Sequence, residues 1–186
     1  MAKDGSAPGS LELVRSFVNS IDVERPETLD ALADIAGARV WLADAGVDPA
    51  GLSADALRDL RELREAFRSA LLAHTGECDE DSTWRTLAGH LGPVRLEMTL
   101  AQAGHAELGP ANRAGVEGLR GALAAAVYDA LRDGTWSRLK VCRDHGCLFA
   151  FYDRTKNGSG AWCSMETCGN RAKAQRRRAR ERPAPS

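Results

Sequence analysis

Apolar residues recur three or four positions apart through most of the first 134 residues, and this spacing predicts amphipathic helices. The clearest example follows Ser53, whose hydroxyl suits the position just before a helix. Its apolar stripe consists of Leu57, Leu60, Leu63, Phe67, Leu71 and Leu72. The charged residues between them, Arg64 included, are predicted to face water.

Four further segments carry the helical spacing. They are residues 11–19, residues 26–45 starting at Pro26, residues 82–91, and residues 112–132 with Gly134 as the C-cap. Residues 94–101 instead alternate apolar and polar side chains, which is the strand period. Residues 1–10 are polar and predict a flexible arm. The pattern therefore predicts a mainly α fold, with a helical N-terminal domain over 11–134 that contains a small β element.

The composition agrees with a helical, water-soluble chain. It is 44% hydrophobic and 27% charged, and only 5% of its residues are aromatic. No apolar run is long enough to cross a bilayer, and the first residues lack the apolar core of a secretion signal. We therefore expect a cytoplasmic protein with no membrane partner, in which clustered cysteines bind metal more often than they form disulfides.

Four of the five cysteines form two pairs with the spacing C-x4-C-x15-C-x4-C. They are Cys142, Cys147, Cys163 and Cys168, while Cys78 stands alone. Structural zinc sites commonly take two thiolates from each of two tight loops, and Gly146 would allow the sharp turn in the first loop. The spacing favours one structural Zn²⁺. Two disulfides, an iron–sulfur cluster, chance clustering and ligation by His145 are the alternatives.

The residues around the cysteines predict a small finger. Residues 148–152 are predicted to form a strand, and Ala161–Trp162 is predicted to start the return strand. The segment after Cys163 is predicted to begin a basic helix. The predicted fold class of residues 135–182 is thus a treble-clef-like zinc finger with a knuckle, a β-hairpin and a basic helix, followed by the tail 183–186. Four cysteine ligands leave no open coordination position, and no catalytic motif is present, so we expect no enzyme.

The charge is unevenly distributed along the chain. Residues 142–182 contain ten Lys and Arg against four acids, whereas the remainder has fifteen against twenty-two. This split predicts a polyanion partner for the C-terminal helix. The candidate nucleic-acid contacts are Arg171, Lys173, Arg176, Arg177, Arg178 and Arg180. Four of them, at 173, 176, 177 and 180, share one helical face, and a solvated tail that only aids solubility is the other interpretation.

The C-terminal segment resembles the CGNR zinc-finger proteins, a family named for the tetrad found here at residues 168–171. The resemblance also rests on the run from Trp136 to Cys142 and on the Trp162-Cys163-Ser164-Met165 sequence. Upstream, the Phe17-Val18-Asn19 and Trp41-Leu42 sequences and residues 60–66 resemble the ABATE domain, which precedes this finger in the same family and is described as a "putative stress-induced transcription regulator".

The resemblance implies a bacterial transcription regulator whose finger binds DNA and whose N-terminal domain senses a small molecule or a partner. The protein could act as a homodimer. The alternative function is that of a zinc-finger adaptor that binds RNA or another protein. Relatives carry basic residues where this chain has Gly160 and Ala161, so we expect the helix to carry the binding. We expect Asn170 to support the finger, and Arg171 either to contact DNA or to pair with Asp153.

Overall fold

The computed structural model describes most of the chain. The described residues are 5–25, 30–100, 104 and 106–181, without the side chains of Arg180 and Glu181. Some sequence-based predictions therefore fall outside them. These are residues 1–4 of the arm, the helix start at Pro26, the side chain of Arg180, residue 182 and the tail 183–186.

The predicted mainly α fold is confirmed. Within the described residues, five α-helices precede the finger: α1 (Leu11–Val18), α2 (Ile35–Asp44), α3 (Ala54–Ala73), α4 (Glu80–Leu91) and α5 (Gly115–Arg132). As predicted, the Ser53 side chain caps α3 by accepting a hydrogen bond from the Ala56 N–H at 3.1 Å. Among the helices of the described residues, none is both long and apolar enough to cross a membrane.

Helix α2 starts later than the sequence predicts. Asp30 accepts a hydrogen bond from the Leu32 N–H at 2.9 Å, and Asp34 accepts one from the Gly37 N–H at 2.8 Å. Both aspartates thus bind backbone N–H groups that a continuous helix would need. Asp34 becomes the N-cap, and the helix begins at Ile35.

The core lies between α1, α3 and α5. The predicted α3 stripe is buried except for Leu72, which is partly buried. Phe67 meets Phe17 of α1 edge to face, with the ring centroids 6.1 Å apart. The prediction that Arg64 faces water is wrong, because only 3% of this residue is exposed. Its guanidinium binds both carboxylate oxygens of Asp30, at 2.6 and 3.1 Å, and the Ser20 hydroxyl at 3.0 Å. The buried charge is therefore paired.

The small β element is an antiparallel hairpin. Strand β1 (Leu96–Leu100) pairs with β2 (Ala106–Pro110), so that Leu96 lies opposite Pro110 and Leu100 opposite Ala106. Helix α5 packs closely on β2, since a Cβ at Gly121 would lie 2.6 Å from the Pro110 Cβ. The predicted strand at 94–101 is thus confirmed and begins at Leu96, while residue 101 lies outside the described residues.

The finger contains the predicted knuckle, hairpin and basic helix, but the two strands of the hairpin flank the knuckle instead of following it. A 3-10 turn (Trp136–Arg138) leads into β3 (Leu139–Val141), which pairs with β4 (Ala150–Tyr152) across the knuckle. A π-helical turn (Met165–Gly169) then leads into α6 (Asn170–Glu181). The return strand predicted at 161–162 is wrong, because β4 pairs with β3. The Ala161 carbonyl instead accepts one hydrogen bond from the Arg143 N–H at 3.0 Å.

Candidate metal centre and nucleic-acid interface

The four paired cysteines come together at one point in the finger. Their sulfur atoms all lie within 4.8 Å of one another. The Cys163 sulfur is 3.6 Å from that of Cys147 and 3.7 Å from that of Cys168. Tetrahedral zinc with Zn–S bonds of about 2.3 Å requires sulfur separations of about 3.8 Å. The sulfur geometry therefore fits one structural Zn²⁺ ion.

The crowded sulfurs are poorly stable as thiolates without a cation. Hydrogen bonding with the Cys147 thiol, together with burial, raises the pKa of Cys142 to about 12 in the absence of metal. Contacts with neighbouring sulfurs also raise the pKa of Cys163, and burial raises that of Cys168. A bound Zn²⁺ supplies the positive charge that keeps coordinating thiols deprotonated.

Asp144 organises the knuckle between Cys142 and Cys147. Its carbonyl accepts hydrogen bonds from the N–H groups of Cys147 at 2.7 Å and Leu148 at 3.0 Å, and its carboxylate accepts one from Gly146 at 3.1 Å. The residue with a left-handed backbone is Leu148, at φ 47°, so the prediction that Gly146 supplies the sharp turn is wrong. Strain at a non-glycine residue persists only where its surroundings hold it.

Three residues of the CGNR tetrad shape the turn that leads into α6. Cys168 supplies a sulfur, and Gly169 leaves room for Met165, whose sulfur would lie 2.8 Å from a Cβ at Gly169. The Asn170 side-chain amide donates a hydrogen bond to the Glu166 carbonyl at 3.0 Å. These contacts are consistent with the expectation that Asn170 supports the finger.

Arg171, the last residue of the tetrad, binds two carboxylates. Its guanidinium donates to Glu24 at 3.1 and 3.2 Å, and lies 3.0 Å from an oxygen of Asp144. The predicted pair with Asp153 is wrong. Arg171 instead connects the first turn of α6 to the knuckle and to the loop after α1.

Asp153 pairs with Lys140, and the sequence-based prediction missed this lysine. The Lys140 ammonium lies 2.9 Å from the Asp153 carboxylate and also binds the carbonyls of Gly158 and Gly160. Asp153 accepts further hydrogen bonds from the N–H groups of Thr155 at 2.9 Å and Gly160 at 2.7 Å. A Cβ at Gly160 would lie 2.8 Å from this carboxylate. A larger side chain at this position would therefore have to displace Asp153.

Replacing Asp153 with Asn is expected to destabilise the zinc-loaded protein by about 2 kcal/mol. Burial alone would raise the pKa of Asp153, but Lys140 and the Thr155 and Gly160 N–H groups outweigh it and lower the pKa from 3.8 to about 2. A shift of this size corresponds to about 2 kcal/mol, which is present above pH 4 and is lost as the pH falls towards 2. Urea unfolding at pH 7 measures the loss. Asp133→Asn, at an exposed aspartate, is the control and should change stability by less than about 0.5 kcal/mol.

Two families match the chain. The CGNR zinc finger matches residues 138–181, which contain all four clustered cysteines. ABATE, described as "Putative stress-induced transcription regulator", matches residues 11–134, which is more than half of the chain. The chain belongs to the ABATE family. Both resemblances predicted from the sequence are therefore confirmed, as is a single structural zinc as the cofactor. No curated protein matches the chain.

The ABATE domain and the finger are joined by a continuous core and by buried hydrogen bonds. Leu139, Val141 and Ala150 of the finger belong to the same apolar cluster as α1 and α3. The Asn19 side-chain amide donates to the Ala150 carbonyl at 2.9 Å and accepts from the Ala150 N–H at 2.8 Å. The boundary between residues 134 and 135 remains a prediction.

Two further side chains of α3 and its C-cap reach the finger. Arg68 donates to the Leu148 carbonyl at 2.8 Å and to the Val18 carbonyl at 2.7 Å, and so links the knuckle to α1. The Nδ1 atom of His74 lies 2.7 Å from the Leu139 carbonyl, and its ring packs edge to face on Trp136. Gly5, in the predicted flexible arm, accepts a hydrogen bond from the Tyr152 N–H at 3.0 Å. The finger is therefore docked on the ABATE domain.

His74 is expected to make this docking sensitive to pH. Burial lowers the pKa of His74 below 6.5 and outweighs the hydrogen bond to Leu139 and the charge of Glu80, so the ring is neutral at pH 7 and donates from Nδ1. The contribution of the neutral ring to the free energy of unfolding is complete above 6.5, the pKa of histidine in the unfolded chain. It falls as the pH drops below 6.5, by at most about 1.4 kcal/mol per pH unit for one proton.

Urea unfolding between pH 8 and 5.5 measures this loss. His74→Asn keeps an N–H donor close to the position of Nδ1 but does not titrate, so its stability should fall less steeply with acid than that of the wild type. Identical pH profiles would show that protonation of His74 does not weaken the docking.

The basic helix α6 leaves the metal centre with one long exposed face. Lys173, Arg176 and Arg177 are exposed and lie at helical spacing on the face opposite Arg171 and Arg178. The backbone of Arg180 continues the same spacing, and its side chain lies outside the described residues. Ala179 of this helix is also exposed.

Proposed function

We propose that this protein is a cytoplasmic, DNA-binding transcription regulator in which zinc fixes the basic helix α6 for contact with the DNA backbone. The observation that carries the proposal is the exposed face of Lys173, Arg176 and Arg177 on a helix that begins two residues after the ligand Cys168. Arginine and lysine bind phosphate, and a rigid base for the helix presents them together. The description of the ABATE family, a transcription regulator, and that of the CGNR family, a zinc finger, both support this proposal. The zinc has a structural role in it.

We also propose that the ABATE domain senses a small molecule and passes the signal to the finger. A cavity of about 650 Å³ at the junction is lined by Arg15, Asp22 and Trp41 of the ABATE domain and by Phe149 of the finger. This volume lies in the range of small-molecule sites. The Arg15 guanidinium lies 5.8 Å from the centre of the Phe149 ring, so a bound molecule would touch both units.

The experiment that tests DNA binding is a salt titration of the intact, zinc-loaded protein with a 20-base-pair duplex, followed by fluorescence anisotropy. Each phosphate contact contributes about one unit to the slope of log affinity against log salt concentration. The variant Lys173/Arg176/Arg177→Ala should lower that slope by about three units. The matched control, Arg39/Arg58/Arg132→Ala, removes three exposed arginines from α2, α3 and α5 and should leave the slope unchanged.

Equal slopes for the two triple variants would refute the assignment of phosphate contacts to α6. Competition by structured RNA at fixed salt separates the proposed function from an RNA-binding one, because an RNA module would prefer the RNA to the duplex. An interaction adaptor would bind both nucleic acids weakly and without dependence on the three α6 residues.

A further inference from the structure

The four ligand cysteines differ in how well the fold covers them. Cys142, Cys147 and Cys168 are 0%, 3% and 1% exposed, whereas Cys163 is partly exposed. Cys163 also lines a cavity of about 940 Å³, together with Trp162, Met165 and residues of β4. A small solute that enters this cavity therefore meets one zinc-ligating residue, Cys163, and none of the other three.

The sulfurs also differ in the hydrogen bonds that they accept. The Thr167 hydroxyl donates a hydrogen bond to the Cys168 sulfur at 3.9 Å, and the backbone N–H groups of Asp144 and Cys163 favour the thiolate form of Cys142. Within the described part of the chain, the Cys163 sulfur contacts other sulfurs and no N–H or O–H donor. Donated hydrogen bonds withdraw electron density from a thiolate, so Cys163 keeps more of its nucleophilicity.

Two further sulfurs stand next to Cys163. Those of Cys147 and Cys168, at 3.6 and 3.7 Å, are close enough to attack a sulfur that has been oxidised. Exposure and a neighbouring resolving cysteine are properties that make a cysteine sensitive to oxidation.

We propose that Cys163 is the peroxide-reactive thiolate of the metal centre, and that its oxidation releases the zinc. The Cys163 sulfur attacks one oxygen of hydrogen peroxide or an organic hydroperoxide. The O–O bond breaks, Cys163 becomes a sulfenic acid, and the leaving oxygen takes a proton as water or alcohol. The thiolate of Cys147 or Cys168 then attacks the Cys163 sulfur, forms a disulfide and displaces hydroxide, which takes a second proton. Two cysteine thiolates are thus oxidised by two electrons, the peroxide is reduced, and two thiolates remain to hold Zn²⁺.

Where the disulfide joins Cys163 to Cys168, this reaction would disconnect α6 from the knuckle, because both cysteines lie on the α6 side of the metal centre. Its effect on gene regulation rests on the proposed function, but the reaction itself does not. The experiment therefore measures zinc release and disulfide formation first, and DNA binding only afterwards.

The experiment exposes the intact, zinc-loaded protein to limited hydrogen peroxide. A colorimetric chelator follows zinc release, and differential alkylation with peptide mass spectrometry identifies the oxidised cysteines. We expect one zinc ion to be released per chain, the first disulfide to contain Cys163, and dithiothreitol with added zinc to restore the starting state. Cys163→His keeps a zinc ligand and removes the reactive thiolate, so it should release zinc at least tenfold more slowly. Cys78→Ser, at the exposed cysteine outside the cluster, is the control and should match the wild type.

A first disulfide without Cys163, or equal rates for Cys163→His and the wild type, would overturn the proposal. If Cys163→His fails to bind zinc, the identity of the first disulfide in the wild-type protein alone decides whether Cys163 is the reactive cysteine. If zinc is released through Cys163 but the untreated protein does not bind duplex DNA, the redox site stands and the proposed function fails.

Discussion

Removing zinc from the intact protein is expected to unfold residues 163–181 while the ABATE domain and the β3–β4 pair stay folded. Structural zinc in small fingers contributes on the order of 10 kcal/mol at neutral pH. Helix α6 has twelve residues, is exposed along nearly its whole length and carries like charges, so it is marginal without the metal. Strands β3 and β4 differ because Asn19, Arg68 and His74 bind the backbone beside or within them.

Hydrogen exchange with mass spectrometry tests this expectation on the protein before and after treatment with a strong zinc chelator. Peptides that cover 163–181 should exchange at the rate of an unfolded chain, and those from α1, α3 and β4 should keep most of their protection. Restored zinc should restore protection. An unchanged α6, or simultaneous loss of protection in α3, would contradict the expectation that the metal holds only the second half of the finger.

Replacing Arg68 with Met is expected to cost roughly 3–5 kcal/mol of unfolding free energy. Only 5% of Arg68 is exposed, and its removal leaves the Leu148 and Val18 carbonyls without the donor that now binds them. Each buried acceptor that loses its partner costs about 1–3 kcal/mol, and Met fills much of the same space. The Leu148 carbonyl belongs to the residue with the left-handed backbone, so its release also frees the knuckle.

Urea unfolding of the zinc-loaded variant measures this effect. The matched control is Arg58→Met on the same helix, where the side chain is 61% exposed and pairs with the surface carboxylates of Asp55 and Asp59. The control should change stability by less than about 0.5 kcal/mol. If the two variants are equally stable, Arg68 does not hold the finger on the ABATE domain.

Features that depend on neighbouring residues in the sequence could be predicted. The α3 stripe has a helical period, so its burial followed from the spacing alone. The metal centre also followed, because zinc ligands occur in closely spaced pairs and cysteine chemistry restricts the alternatives. The Ser53 cap could also be predicted, because its hydroxyl accepts a hydrogen bond from an N–H group only three residues away.

Features that depend on distant partners could not be predicted. Arg64 has the spacing of a surface residue, and its burial depends on Asp30, 34 positions away. Arg68 binds a carbonyl 80 positions away, and Arg171 binds a carboxylate 147 positions away. No local pattern marks these partners. The pairing of β3 with β4 was missed because three-residue strands show too little alternation to reveal their register.

If zinc presents α6 to DNA, a bound duplex should protect this helix, and hydrogen exchange of the zinc-loaded protein with and without a saturating 20-base-pair duplex measures that protection. The predicted result is slower exchange in peptides from α6 (Asn170–Glu181) and no change in the β1–β2 hairpin. Unchanged exchange in α6 under conditions where the duplex is bound, with protection elsewhere in the chain, would contradict the claim.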